Sequence, residues 1–186
     1  MKSLKLVSIF SFLAVFFSCS DDDDVEIINE EEVITTLRVT FIKENTNEIS
    51  TFLYQDLAGD GSVDPMISAD NLEANTTYIG SVEFLNELED PAENITLEVV
   101  EEGEEHQVFF INSTSLNTNF SYLDTDANNN PIGVEFSLTT GDASTGNLSV
   151  LLIHDGDKFA DGVAQGDISN TGGETDIEAN FNVVIE

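Results

Sequence analysis

Residues 175–185 read TDIEANFNVVI, and Ile177, Ala179, Phe181, Val183 and Ile185 fall at every second position. Successive side chains of an extended chain point to opposite faces, so all five lie on one side and the stretch predicts a half-buried β-strand. Seven more segments are rich in Val, Ile, Thr, Phe and Tyr: VITTLRVTFI (33–42), STFLYQDL (50–57), TTYIGSVEFLN (76–86), QVFFI (107–111), NTNFSYLD (117–124), IGVEFSLTT (132–140) and GNLSVLLIH (146–154). Clusters of Gly, Asn and Asp separate them. About eight strands so punctuated predict a mainly β domain, an antiparallel β-sandwich of immunoglobulin-like type. One stretch departs from the pattern. DPAENITLEVVEEGEEH (90–106) places Asp90, Pro91 and Glu93 at the N-cap, first-turn and third positions of a helix start, with Ile95, Val99 and His106 on one helical face. It predicts a short helical insertion over 91–102.

The other end of the chain concerns location. Lys2 and Lys5, the apolar run LVSIFSFLAVFF and the small residue Ser18 follow the order of an export signal. The run is shorter than the roughly 20 residues a membrane span needs. Cys19, the only cysteine, comes next and can form no internal disulfide. A cysteine in the first mature position resembles the acylated residue of bacterial lipoproteins. Ser20, Asp21, Asp22, Asp23 and Asp24 resemble the acidic surface-export signal of Bacteroidota lipoproteins, and they also read as a charged, extended tether. The expected organisation is a signal peptide over 1–18, a lipidated acidic tether over 19–32 and the sandwich over 33–186, held on the exterior of the outer membrane by acyl chains.

The chain carries 37 acidic and 5 basic side chains, a formal net charge of −32. Removing the signal removes Lys2 and Lys5 and leaves Arg38, Lys43 and Lys158. Such a surface has nothing with which to neutralise phosphates, which excludes nucleic acid and leaves the lipid as the only membrane contact. Cations or a basic partner are favoured, although strong charge also serves solubility alone.

EEVITTLRVTF (31–41), LEANTTYIGSVEFLNE (72–87), EEGEEHQVFF (101–110), DTDANNNPIG (124–133) and GGETDIEANFNVVI (172–185) together resemble a group of Bacteroidota lipoproteins labelled "type 1 periplasmic binding fold superfamily protein". The resemblance implies a surface lipoprotein linked to nutrient capture by TonB-dependent receptors. It brings no catalytic or ligand-contact residue. The label's name denotes two α/β lobes, whereas the residues here read as one sandwich.

Three constellations could carry chemistry. In DTDANNNPIGVE (124–135), Asp124, Asp126, Asn128 and Asn130 alternate and Glu135 stands twelfth, the oxygen-rich spacing of a calcium loop. The same residues suit a plain polar hairpin turn. A weaker variant, QDLAGDGSVDP (55–65), offers Asp56, Asp60 and Asp64. His106 beside Glu105, and His154 beside Asp155, are imidazole–carboxylate pairs of the kind that hold zinc and similar ions, if the fold brings them together. Last, the 23 residues 154–176 lack strand or helix periodicity and gather Asp157, Asp161, Asp167, Glu174 and Asp176, which read as a functional acidic loop or as a mobile one.

No nucleophile elbow or phosphate-binding glycine loop occurs, and so many carboxylates make acid–base pairs by chance. The sequence therefore points to a non-enzymatic surface module that captures divalent cations, Ca2+ ahead of Zn2+, or a cation-dependent partner such as an outer-membrane receptor or extracellular ligand. The alternative is a structural or adhesive module with calcium-stabilised loops. A glycan ligand would have to bind without tryptophan, the most common sugar-stacking side chain.

Overall fold

A computed structural model describes residues 32–58 and 62–186. The signal, Cys19, the Ser20–Asp24 stretch and the tether through residue 31 lie outside the described residues, as does Asp60 of the weaker acidic loop. In chain order the elements are β1 (Thr36–Lys43), β2 (Ile49–Gln55), β3 (Met66–Ala69), β4 (Thr77–Asn86), β5 (Glu93–Asn94), α1 (Thr96–Glu101), β6 (His106–Asn112), β7 (Thr118–Tyr122), β8 (Glu135–Thr140), β9 (Ser144–His154) and β10 (Glu174–Ile185).

The strands form two antiparallel sheets, a β-sandwich. The first runs β3-β2-β1-β4-β8-β7, with the short β5 also paired to β4; the second runs β10-β9-β6. Alternation decides which side chains meet between them. Leu37, Val39 and Phe41 of β1 are fully buried, and Ile177, Ala179, Phe181, Val183 and Ile185 of β10 face them across the core. Aromatic rings fill the space: Phe52 lies 4.7 Å from Phe41 and 5.3 Å from Phe181, centroid to centroid. Gly80 on β4 sits opposite Phe136 on β8, and a Cβ there would fall 2.2 Å from the Phe136 ring, so only glycine leaves the ring its place. A parallel bridge from Leu72 to Ile185 links the two sheets at one end.

All eight segments expected as strands are strands, with ends shifted by up to three residues. β3 and β5 are additional. Residues 66–69 are MISA, with Met66, Ile67 and Ser68 exposed, so no buried face produced alternation. The helix is shorter than the 91–102 predicted. Glu93 and Asn94 pair with Asn86 and Leu85 of β4, and Asn94 Oδ1 accepts the Thr96 N–H, so the helical turn starts only there. Ile95 and Val99 are buried side by side, but His106 belongs to β6 and not to the helix.

Residues 155–173, read as a loop without regular structure, contain two 3-10 turns, Val163–Gln165 and Ile168–Asn170. Val163 is fully buried against Phe109 and Ile153 on the outer face of the second sheet, with Ala160 and Ile168 packed around them. The loop covers apolar surface that β6 and β9 would otherwise expose.

Candidate metal centre

The register of β6 against β9 pairs His106 directly with His154. Their rings stack at 4.5 Å with planes 23° apart. Both side chains are buried, at the end of the second sheet on the face that carries Val108 and Leu152 into the core. A separation of 48 positions in sequence has become direct contact through strand pairing alone.

Asp176 reaches the same place through an irregularity. The β9–β10 pairing shifts between Thr175 and Ile177, leaving Asp176 as the extra residue of a bulge. Strict alternation with Ile177, Ala179 and Phe181 would send Asp176 to the outer face; bulges re-aim side chains in this way. One ligand atom each from His106, His154 and Asp176 lies within 4.8 Å of the others. Gly173 fixes the turn into this segment: its φ is +75°, and a Cβ there would lie 2.3 Å from the His154 carbonyl oxygen.

Glu32 completes the cluster. Assigned above to the tether, it belongs to the folded domain, with its carboxyl Oε1 3.2 Å from His106 Nε2. His106 Nδ1 lies 3.2 Å from the Glu102 carbonyl oxygen, which can only accept, so the neutral ring carries its proton there and turns the Nε2 lone pair toward Glu32. Among the described residues Glu32 Oε2 and Asp176 Oδ2 are buried without a hydrogen-bond partner, and His106 Nε2 has only the Glu32 carboxylate beside it. When the ring is protonated, Nε2–H donates to Glu32; when it is neutral, acceptors face one another there. Buried polar atoms of this kind demand a positive partner, either a proton or a cation.

The electrostatics agree. Burial pushes the Asp176 carboxyl up to about 6; Glu32 and Glu174 push the same way, and the two imidazoles oppose them. Burial by itself would lower His106, but the Glu32 carboxylate, the Glu102 carbonyl and Asp176 outweigh it and raise the imidazole above its ordinary value. Both groups therefore hold protons more firmly in the fold than in the unfolded chain. Metal-free stability should fall as pH rises from about 4 through 6, as Asp176 ionises, and further as His106 loses its proton above about 6.5. Unfolding midpoints measured in EDTA from acid to mildly alkaline pH check this, and Asp176→Asn should flatten the lower part of the curve.

The cluster opens toward the surface on two sides. A cavity of about 100 Å³ is lined by Glu32, Glu174, Thr175 and Asp176. On the other side His154 Nε2 lies 3.6 Å from Glu105 and 4.0 Å from Asp155, both exposed. Of the imidazole–carboxylate pairs named from sequence, His154–Asp155 forms the outer side of the group, but Glu105 faces His154 and not His106, whose carboxylate partner is Glu32. Glu32 and the bulged Asp176 are the inner residues that the sequence does not connect to the histidines.

The calcium spacing is used differently. Asp124 accepts the backbone N–H groups of Gly133 and Glu135, and Asp126 Oδ1 accepts those of Asn128 and Asn130. Asn128 donates to Glu104. The loop's cation is a lysine: Lys158 Nζ pairs with Asp126 Oδ2 at 2.9 Å and donates to the carbonyls of Gly103 and His106, with 3% of the Lys158 side chain and 1% of the Asp126 side chain exposed. The ammonium stands where a bound ion would draw carbonyl and carboxylate oxygens together. Backbone contacts and Lys158 hold Asp126 below the ordinary carboxylate range, although burial alone would raise it.

The remaining acidic residues of the long loop do not converge. Asp157 and Asp167 accept the N–H groups of Phe159 and Ser169, the Asp161 carbonyl accepts from Asn170, and only Glu174 reaches the cluster through the small cavity. Arg38 and Lys43 form ion pairs with Glu83 and with Glu48 and Glu73. No helix among the described residues is long and apolar enough to cross a membrane. Comparison with family models, with curated proteins and with solved structures gives no match.

Proposed function

We propose that this chain is a non-enzymatic, lipid-anchored surface lipoprotein whose sandwich captures a divalent transition metal through His106, His154, Asp176 and Glu32. The observation that carries the reading is the facing of His106 Nε2 and the Glu32 carboxylate at 3.2 Å, with His154 and Asp176 beside His106, an arrangement that needs a proton or a cation between nitrogen and oxygen. Two donors on a tetrahedral zinc ion stand about 3.3 Å apart, so little movement is needed to admit one. Imidazole nitrogen beside carboxylate oxygen suits zinc, copper or nickel better than calcium, which takes oxygen alone. The adjoining cavity, about 100 Å³, is far smaller than the 300 Å³ or so at which organic-ligand sites begin, which favours holding an ion over acting on a substrate. In this reading Cys19 carries the acyl group, Ser20–Asp24 direct the protein to the cell exterior, and the captured ion is passed to an outer-membrane receptor of the TonB-dependent kind. Against a calcium-stiffened structural module stands Lys158, which occupies the cation position of the 124–130 loop.

Zinc titrated into the full chain at neutral pH should bind at one equivalent and release protons, since the ion replaces those held by the cluster. Calcium should not compete. Zinc binding that survives His106→Ala combined with Asp176→Asn would overturn the site. The location has its own test: Cys19→Ala should move the protein from the membrane to the soluble fraction, and persistent membrane association would rule out the anchor.

A further inference from the structure

A second cavity lies away from the histidines and is chemically unlike the rest of the surface. About 620 Å³ in volume, it runs along β7, the far edge of the first sheet, and its opposite wall is the 3-10 turn at Ala164, Gln165 and Gly166. Every residue from 118 to 125 lines it. A pocket on a sheet face would show alternate residues, so this consecutive lining means that the strand's backbone edge forms part of the wall. Leu123 N–H bonds to the Glu135 carbonyl and Gly141 N–H to that of Asn117, which turns the odd-numbered backbone groups toward β8 and those of Phe120 and Tyr122 outward.

Charge decides what such a cleft can take. In a chain with 37 acidic side chains, the only one lining it is Asp124, and both of its oxygens already accept backbone N–H groups. A cation finds no available carboxylate there. No lysine, arginine or histidine lines it either, so an anion has no partner. What remains is a floor of aromatic rings, with Phe110 and Phe120 stacked at 4.4 Å, beside Asn112 and Thr118 on the same faces of their strands and Gln165 across the cleft, side chains that both donate and accept. Tyr122 is held in position, its hydroxyl donating to the Val108 carbonyl.

We infer that this cleft binds an uncharged, hydroxyl-rich ring compound, a neutral glycan of one or two sugar units. Apolar ring faces would rest on Phe120, and hydroxyls, themselves donors and acceptors, would pair with Asn112 Oδ1, Thr118 Oγ1 and the amide of Gln165 and with the outward backbone groups of Phe120 and Tyr122. An added peptide strand fits less well. The Thr118 carbonyl is already taken by Asn112 Nδ2, which leaves two residues of open ladder. The cleft stands independently of the metal centre.

The test is a titration of isotope-labelled full chain with neutral oligosaccharides of glucose, mannose, galactose and N-acetylglucosamine at millimolar concentration, followed by amide NMR. At least one should shift the signals of Phe120, Tyr122 and Gln165. Thr118→Val, which removes a hydroxyl without a partner among the described residues, and Gln165→Ala, at an exposed position, should each weaken that sugar about tenfold and leave the unfolding midpoint and zinc binding unchanged. Silence across all four sugars overturns the inference, as do shifts that neither substitution alters. An uncharged extended peptide that moves these signals where sugars do not would also overturn it and identify a strand-docking edge.

Discussion

At neutral pH, Asp176→Asn should stabilise the metal-free chain and at the same time weaken zinc binding on the order of 100-fold. The two effects have one cause. In the bulge of β10 the carboxylate is driven toward two imidazoles and the Glu32 carboxylate, and burial raises it to about 6, so at pH 7 the fold holds a charge it disfavours. The amide keeps the shape and removes the charge. Because the side chain is still partly in contact with water, the gain is about 1 kcal/mol, or about 2–4 °C in midpoint for a domain of this size. Zinc at about 100 times its dissociation constant adds about 2.7 kcal/mol to the native chain, and the variant should lose most of that. Thermal unfolding with EDTA and with zinc measures both. A residue of purely structural importance would lower stability in both conditions. If the variant is less stable without metal, or if its zinc-induced rise matches that of the native chain, Asp176 is not a ligand.

Lys158→Met should produce the largest loss of stability of any surface-loop substitution, about 3–5 kcal/mol, because it leaves the Asp126 carboxylate buried without its cation. The carbonyls of Gly103 and His106 lose their donor in the same step. Breaking one side of a buried pair is far worse than removing both, so Lys158→Met with Asp126→Asn should recover a substantial part. Denaturant unfolding of the native chain, both single variants and the double variant measures the coupling. Additive losses would show that the ammonium and carboxylate act independently, contrary to their 2.9 Å contact.

Lys158 also marks where sequence reading stopped. The spacing of Asp124, Asp126, Asn128 and Asn130 correctly indicated a tight loop built on oxygen acceptors, but the charge they surround comes from 28 positions beyond Asn130, and no local pattern predicts that. One signal was available: Lys158 is one of only five basic residues and the only one after Lys43, and it sits amid aspartates. The strands were legible because burial imposes alternation on them. Where burial was slight, as at Met66–Ala69, the strand was invisible. The histidines were visible as residues, but their meeting depends on the β6–β9 register, a property of two strands and not of either. Asp176 was legible only as one more acidic residue, since a bulge breaks the rule by which side chains are assigned to faces. Glu32 reads as part of the tether because acidic residues recur from Asp21 to Glu32, and composition cannot show where an extended segment begins to pack.

The most direct test is zinc-edge X-ray absorption on the full chain loaded with one equivalent of zinc at neutral pH. The proposed centre predicts a four-coordinate ion with two imidazole nitrogens at about 2.0–2.1 Å and carboxylate oxygens in the remaining positions, and loss of one nitrogen in His154→Ala. An all-oxygen shell, or a spectrum unchanged by removal of either histidine, would place the ion on the acidic surface and contradict the assignment.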